Sequence, residues 1–472
     1  MTSISTVVTS TRTGLPAAAL RALRDAFGTN FDTSPEVTAR HGHTLTWLAN
    51  EPPSAVVFAE NTQDVCKVVR VCSEYGVPLI PFGAGTSLEG QVNAPLGGVS
   101  LDLSRMNKLI AVASDDQYVI TQAGLTHEKL NSLIAPMGLF FSVDPGADAT
   151  LGGMASTRAS GTNAVRYGTM LQNTLALEVV LISGDVIRIG TKARKSACGY
   201  DLTHLFVGSE GTLGIITELT LRVYPIPKVI AAGRCTFESI AGATSVVIEA
   251  LKERIDLARI ELLDNLCIRA CNAYSGLELE EAPTLFVEFH GDREHVKNEA
   301  ERFSALITTL GRHFEWTTDS AERLKLWAAR HDAWWAIHHL FPGKTGVTTD
   351  VCVPISRLSE AIAEAQQAIK TLGLDAVIVG HVGDGNFHVL VMLEPGGESD
   401  ITRTKELIVQ LNTSAIQMGG TCTGEHGIGQ GKIDALAAEH PSAIGAMQAI
   451  KRALDPNGLL NPGKLFPANE GL

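Results

Sequence analysis

Pro81-Phe82-Gly83-Ala84-Gly85-Thr86-Ser87-Leu88-Glu89-Gly90 follows the short apolar run Val77-Pro78-Leu79-Ile80 and decides how the first half of the chain is read. Small residues keep bulk out of this loop, so backbone N–H groups can approach an anion, while Thr86 and Ser87 add hydroxyl donors. A strand that empties into such a loop is a candidate pyrophosphate cradle. It matches neither G-x-G-x-x-G nor a P-loop, so alone it does not separate a cofactor loop from an ordinary tight turn. The residues before it predict a short α/β unit. Ala55-Val56-Val57-Phe58 reads as a strand, Thr62 as an N-cap, Asp64 to Tyr75 as a helix and Gly76 as its C′ residue.

Two further glycine-rich stretches share the character of the first. Asp144-Pro145-Gly146 leads to Thr150-Leu151-Gly152-Gly153-Met154-Ala155-Ser156-Thr157 and on through Gly161 to Arg166-Tyr167-Gly168. Gly208-Ser209-Glu210-Gly211-Thr212-Leu213-Gly214-Ile215-Ile216-Thr217 then runs into the strand Leu219 to Val223. Separate turns would explain each loop; their common lack of bulky side chains points to one extended ligand lying on exposed backbone.

After Tyr224-Pro225-Ile226-Pro227 the pattern changes. Arg234 to Phe237, Ala258 to Leu262, Thr284 to His290 and Val347 to Pro354 read as strands, with helices over Ala321 to Ile337 and Ser356 to Leu372. Antiparallel strands joined by helices of this length predict a ferredoxin-like α+β sheet. The last hairpin carries His381-Val382-Gly383-Asp384-Gly385-Asn386-Phe387-His388. A two-residue turn at Asp384-Gly385 would set His381 opposite His388, with Cβ atoms roughly 5 Å apart on one face. Asn386 shares that face by the two-residue period, free to reach an ion, a substrate or only the turn. Gly424-Glu425-His426-Gly427 adds a carboxylate and a third imidazole. Zinc and manganese accept such ligands, so His381, His388 and Glu425 form a candidate open metal site, with His426 a candidate base.

Composition narrows the function classes. The 472 residues carry 38 Lys and Arg against 51 Asp and Glu, a formal charge of −13, which disfavours a nucleic-acid partner or an anionic membrane surface. No apolar run approaches a membrane span. The eight cysteines form no C-x-x-C, which disfavours an iron–sulfur cluster, and their apolar contexts read as buried free thiols of an intracellular protein. The expected location is cytoplasmic, peripheral at the inner membrane being one variant of it. Residues 1 to 24 hold Arg12, Arg21 and Arg24 and no acid, the composition of a transit peptide and of a mitochondrial alternative. The preferred reading is a disordered leader of a dozen residues, then an amphipathic helix from Pro16 with Leu20, Leu23 and Phe27 on one face, closed by Gly28.

Taken together, PFGAGTSLEG, TLGGMASTRASGTNAVRYG and VGSEGTLGIIT resemble the PCMH-type FAD domain, also called the vanillyl-alcohol-oxidase type. HVGDGNFH and GEHGIG resemble the C-terminal domain of FAD-linked D-2-hydroxy acid dehydrogenases. TDVCVPISRL from Thr349 and FVEFHG from Phe286 bring the chain closest to the cytochrome-reducing D-lactate dehydrogenases. The resemblance implies an α+β protein in four parts: leader and first helix (1–50), FAD domain (51–228), substrate and metal domain (229–455) and a C-terminal segment returning to the flavin (456–472). It implies FAD contacts from Pro81, Gly83, Ala84, Gly85, Thr86, Ser87 and Gly90 in the first loop and from Asp144, Gly153, Ser156 and Gly161 in the second. Glu210, Gly211, Gly214 and Ile216 follow in the third, and Asn461 in the returning segment. Covalent members often carry a His in the first loop; its lack here implies non-covalent FAD. The family's metal binds substrate oxygens, the histidine after the ligand glutamate is the base, and Arg330 matches an arginine that pairs with the substrate carboxylate. Asn386 is carried as a third candidate catalytic residue. Dicarboxylate-oxidising relatives have a lysine just before the strand aspartate, where this chain has Thr348-Thr349-Asp350, so a small D-2-hydroxy monocarboxylate is expected. Trp334 and Trp335 are candidates to wall its pocket. Electrons would pass to an external acceptor, cytochrome c or quinone; a homodimer is one possible assembly. The alternatives are an O₂-using oxidase or glycolate oxidase-type subunit, and a non-catalytic flavin-carrying subunit.

Overall fold

The computed structural model describes residues 14–468 apart from Leu45 and Gly311. The expected leader lies outside these residues. The first helix, Ala17–Phe27, buries Ala19 and Leu23 and ends at Gly28 as expected. The next predicted helix also forms, as Thr62–Tyr75, with Gly76 left-handed at φ 64°. Its cap is Asn61 rather than Thr62, because the Asn61 side chain reaches the Asp64 N–H.

Among the described residues the first half holds two main sheets, of four and five strands, and a two-stranded pair, Leu139–Phe140 with Tyr224–Pro225. In the four-stranded sheet, Ala55–Phe58 and Leu79–Phe82 both run parallel to Val99–Asp102, which lies between them. The first glycine loop therefore leaves the sheet at the end of an outer strand. The free edge of that strand is covered by the far end of the chain: the Leu79 N–H donates to the Leu459 carbonyl and the Asn461 N–H to the Leu79 carbonyl, 2.8 Å each. In the five-stranded antiparallel sheet, Ile215–Arg222 is the central strand, between Tyr118–Gln122 and Thr174–Val180. One apolar core, from Ala19 to Leu460, joins both main sheets.

The second half is built on one eight-stranded antiparallel sheet. Its first four strands lie in the order Glu315–Thr317, Val229–Thr236, Thr284–Gly291, Arg259–Leu263, which is the 4-1-3-2 order of a ferredoxin-like unit. Asp375–His381, Asn386–Leu393 and Thr345–Thr348 extend the sheet as a second unit lacking its fourth strand. The two units meet where Leu262 pairs with Gly380. Alternate residues serve different layers. Ile260, Ile378, Phe387 and Val389 face one layer of helices, while Leu263, Val377, Val379, Leu390 and Met392 face Asn265–Ser275, Ser320–His331 and Ala333–Leu340. Glu261, His381 and His388 have the parity of this second face.

Three expectations need correction. The hairpin closes by a four-residue loop, Val382 to Gly385, so His381 pairs with Asn386 and Val379 with His388. The turn is made by the Asp384 N–H on the His381 carbonyl, with only Gly385 at positive φ, so the two-residue alternative requiring two such residues is not used. The strand expected over Val347 to Pro354 is split into Thr345–Thr348 and Val351–Cys352, because Thr349 and Asp350 turn their polar groups to the site described below. The helix expected over Ala321 to Ile337 breaks at Asp332 into Ser320–His331 and Ala333–Leu340.

Candidate active site

The three glycine loops touch one another. A Cβ on Gly83 would lie 2.2 Å from Thr150 Oγ1, which joins the first loop to the second. The Gly208 and Glu210 N–H groups donate to the Ala155 and Ser156 carbonyls at 2.9 and 2.8 Å, joining the second to the third. Gly211, at φ 69°, packs on Pro81 so closely that a Cβ would sit 2.5 Å from its Cγ, closing the ring. Ala84, Thr86 and Gly153 are exposed on these loops, and Ser87 Oγ is buried without a hydrogen-bond partner among the described residues. Exposed small residues beside an unanswered hydroxyl fit a dinucleotide cofactor such as FAD.

Other residues expected to contact the cofactor also fasten the loops to the rest of the chain. Asp144 accepts from Thr162 Oγ1, the Asn163 N–H and Arg259, tying the second loop to the large sheet; Gly161 packs against it. Both carboxylate oxygens of Glu210 are taken by the N–H groups of Ile428 and Gly429, at 2.6 and 2.8 Å. That side chain holds the Glu425–His426 loop. Gly90 packs against Gln430, Gly214 against Val179 and Phe206, and Ile216 is buried in its strand. Asn461 donates to the Gln91 and Glu210 carbonyls.

The hairpin histidines converge on Glu425. Its Oε1 lies 3.4 Å from His381 Nε2 and 3.2 Å from His388 Nε2, and one ligand atom from each residue falls within 4.8 Å of the other two. The register slip of two leaves this intact, since residues two apart share a face. Each ring is held by its other nitrogen. His388 Nδ1 donates to the Thr349 carbonyl at 2.9 Å, so its Nε2 lone pair faces the centre, and His381 Nδ1 meets Glu261 Oε1 at 2.7 Å. Glu425 Oε2 is buried with no partner among the described residues. An oxygen left unanswered beside two oriented imidazoles fits a cation such as zinc or manganese. Burial would push the His381 pKa down; the carboxylates of Glu261 and Glu425 outweigh it and raise it well above the usual value, the response of a site designed for positive charge.

His426 stacks on His388, with ring centroids 5.1 Å apart and planes at 12°. Its Nδ1 is buried and unpartnered among the described residues, and burial pushes its pKa down to about 4, with Asp350 opposing and His388 reinforcing the shift. The imidazole is neutral at pH 7 and able to accept a proton. Arg330, in the last turn of its helix, donates from Nε to Glu261 Oε2 at 2.8 Å. Trp334 packs over Gly346 and His338, and Trp335 is 61% exposed.

Two carboxylates that the motifs did not mark organise this centre. Glu261 bridges His381 and Arg330. Asp350, fully buried, accepts at Oδ2 from Thr423 Oγ1 and from three successive N–H groups, Gly424, Glu425 and His426, at 2.6 to 2.9 Å. Its Oδ1 accepts from Asn386 Nδ2 at 2.7 Å, and that nitrogen also donates to the Val351 carbonyl. Asn386 is thereby a support for Asp350. Burial alone would raise the Asp350 pKa; its neighbours His426, Lys432 and His388 outweigh it and lower it. Lys432 completes the frame, donating to the Asp350 and Cys422 carbonyls beside Glu89 of the first loop. A strand interrupted by a Thr-Asp pair is the sequence signal that could have found Asp350.

Residues 226–465 match the family model for the C-terminal domain of FAD linked oxidases, and residues 53–190 match an FAD binding domain. A probable mitochondrial D-lactate dehydrogenase of Danio rerio is 44% identical over 91% of this chain and 88% of its own length. The mitochondrial D-lactate dehydrogenase [cytochrome] of Arabidopsis thaliana is 42% identical over 88% of this chain and 74% of its own. The glycolate oxidase subunit GlcD of Bacillus subtilis is 31% identical over 93% and 94%. Among solved structures, p-cresol methylhydroxylase superposes with a TM-score of 0.81 over 97% of this chain and 99% of that one at 19% identity, a likeness of fold. The mutually touching loops, the sheet that follows them and these matches place the chain in the FAD-linked oxidase family: it is a flavoprotein oxidoreductase with a PCMH-type FAD domain, related to the D-lactate dehydrogenases.

Proposed function

We propose that the chain oxidises a small D-2-hydroxy acid, D-lactate or a monocarboxylate of similar size, to the 2-oxo acid, using non-covalent FAD and a divalent metal, zinc or manganese. The observation that carries this reading is the convergence of His381 Nε2, His388 Nε2 and Glu425 beside the neutral, unpartnered imidazole of His426. When bound, FAD supplies an acceptor for hydride and the metal supplies positive charge that makes the substrate hydroxyl more acidic.

The chain's own residues then have separate tasks. His381, His388 and Glu425 would hold the metal. His426 accepts the hydroxyl proton, and the Arg330 fork, tied to Glu261 through Nε, pairs with the substrate carboxylate. Thr348 before Thr349-Asp350 brings no second cation, which supports a monocarboxylate. The names of the Danio rerio and Arabidopsis relatives support D-lactate, and the latter supports a cytochrome as external acceptor, with quinone the alternative. Both names also support the mitochondrial location over the cytoplasmic one, which cell fractionation decides.

The test is anaerobic flavin absorbance of the purified protein against a panel of D-2-hydroxy acids. Bleaching by D-lactate and its small homologues is expected; no bleaching by any of them would overturn the reading. The Bacillus subtilis relative supports a second reading, an oxidase or a subunit acting with a partner protein. Peroxide released during turnover would favour the oxidase, and inactivity of the isolated chain the subunit.

A further inference from the structure

We propose that Glu261 is a positioning residue that couples the metal ligand His381 to the substrate-binding Arg330 through one shared carboxylate. The inference rests on the roles given to those two residues above and adds a linkage between them. Glu261 lies mid-strand in Arg259–Leu263, with 1% of its side chain exposed. Its two oxygens are divided: Oε1 meets His381 Nδ1 at 2.7 Å, and Oε2 accepts from Arg330 Nε at 2.8 Å. A buried carboxylate needs donors, and backbone N–H groups can supply them, as they do for Asp350. Glu261 is answered instead by two side chains on different elements, a strand and a helix.

Division of the oxygens has a mechanical consequence. Turning the Glu261 carboxylate to follow His381 moves the acceptor of Arg330, and the reverse also holds. Whatever fixes His381 through Nε2 therefore fixes the Arg330 fork, so metal binding strengthens carboxylate binding and, by thermodynamic linkage, carboxylate binding strengthens metal binding by the same factor. The other imidazole ligand is held differently: His388 Nδ1 is anchored on the Thr349 backbone carbonyl at 2.9 Å, with Asp350 Oδ1 3.8 Å away. One ligand is rigidly mounted and the other is mounted on the substrate clamp.

The experiment uses the full-length flavoprotein stripped of metal by chelation and titrated with Mn²⁺ alone, followed by the electron paramagnetic resonance of the free ion. Glu261→Gln, which keeps the size but offers a single acceptor oxygen, is expected to bind Mn²⁺ about 10- to 100-fold more weakly, with flavin content unchanged. The KM for D-lactate should rise in Glu261→Gln and in Arg330→Gln, and in the double variant by clearly less than the product of the two increases. Wild-type Mn²⁺ affinity in Glu261→Gln, or KM effects that multiply, would overturn the coupling. Glu261→Asp keeps the charge but withdraws the carboxylate by one methylene, and carries the same expectation should the Gln variant lose its flavin. A wild-type protein that binds neither Mn²⁺ nor Zn²⁺ would overturn the metal reading and the coupling together, whereas wild-type binding with an unchanged Glu261→Gln overturns the coupling alone.

Discussion

In the flavin half, the surfaces that meet are backbone and glycine: Gly83 against Thr150, Gly211 against Pro81, the N–H groups of Gly208 and Glu210 on the carbonyls of Ala155 and Ser156. In the second half, the centre is made of side chains brought from four places: Glu261, Asp350, the hairpin histidines and the Glu425–His426 loop. The first kind of site is sensitive to any added volume and indifferent to charge. The second is sensitive to single atoms and charges. Variants that change chemistry without size should therefore damage the second half far more than the first.

His426→Ala gives the largest expected effect: flavin reduction by D-lactate slowed about 10²- to 10⁴-fold in stopped flow, the range for loss of a general base, with FAD absorbance retained. Reduction at the wild-type rate would remove the base from the side-chain site. Chelation comes next. Removal of the metal should lower the reduction rate by about 100-fold or more, with recovery on adding Zn²⁺ or Mn²⁺ and no change in bound flavin; an unaffected rate would leave the ligand cluster without a catalytic part. Gly211→Ala tests the other side of the comparison. It puts a Cβ 2.5 Å from Pro81 Cγ at a left-handed φ of 69°, and should cost about 1–3 kcal/mol of stability and lower FAD occupancy, measured by thermal unfolding and by the flavin-to-protein absorbance ratio. An equal loss of flavin from His381→Ala would blur the distinction between the halves. The smallest effect is on pH. With its pKa held near 4 by burial, His426 is already neutral over pH 6 to 8, so kcat/KM should stay level there and fall only toward pH 4–5, instead of halving near 6.5 as for an ordinary histidine.

What could be read from the sequence follows the same division. The loops at Gly83, Gly153 and Gly211 announce themselves, because backbone-built sites need small residues in contiguous runs. The shared face of His381 and His388 was legible although the hairpin register was not: a two-residue period cannot distinguish pairings that differ by two, and the positive φ that would have decided it falls on Gly385 alone. Glu261 and Asp350 were not legible as site residues. Glu261 lies 120 positions before the histidine it holds and Asp350 sits 36 before Asn386, so only the antiparallel packing of separate strands brings them in. Glu210 was legible as important, but the bond of its carboxylate to Ile428 and Gly429 was not, because they lie over two hundred positions further on.

The covering of the Leu79–Phe82 strand by Leu459 to Asn461 has a consequence for how the molecule is made. During synthesis that strand and the first loop emerge more than three-quarters of the chain before the segment that seals their edge. Until Leu459 to Asn461 leave the ribosome, the strand presents an unpaired row of N–H and C=O groups, the kind of edge that invites pairing with other chains. Folding of the flavin half thus waits on a segment made long after it, and a ribosome that stops shortly before Leu459 releases a chain whose first loop is intact in sequence but open to aggregation.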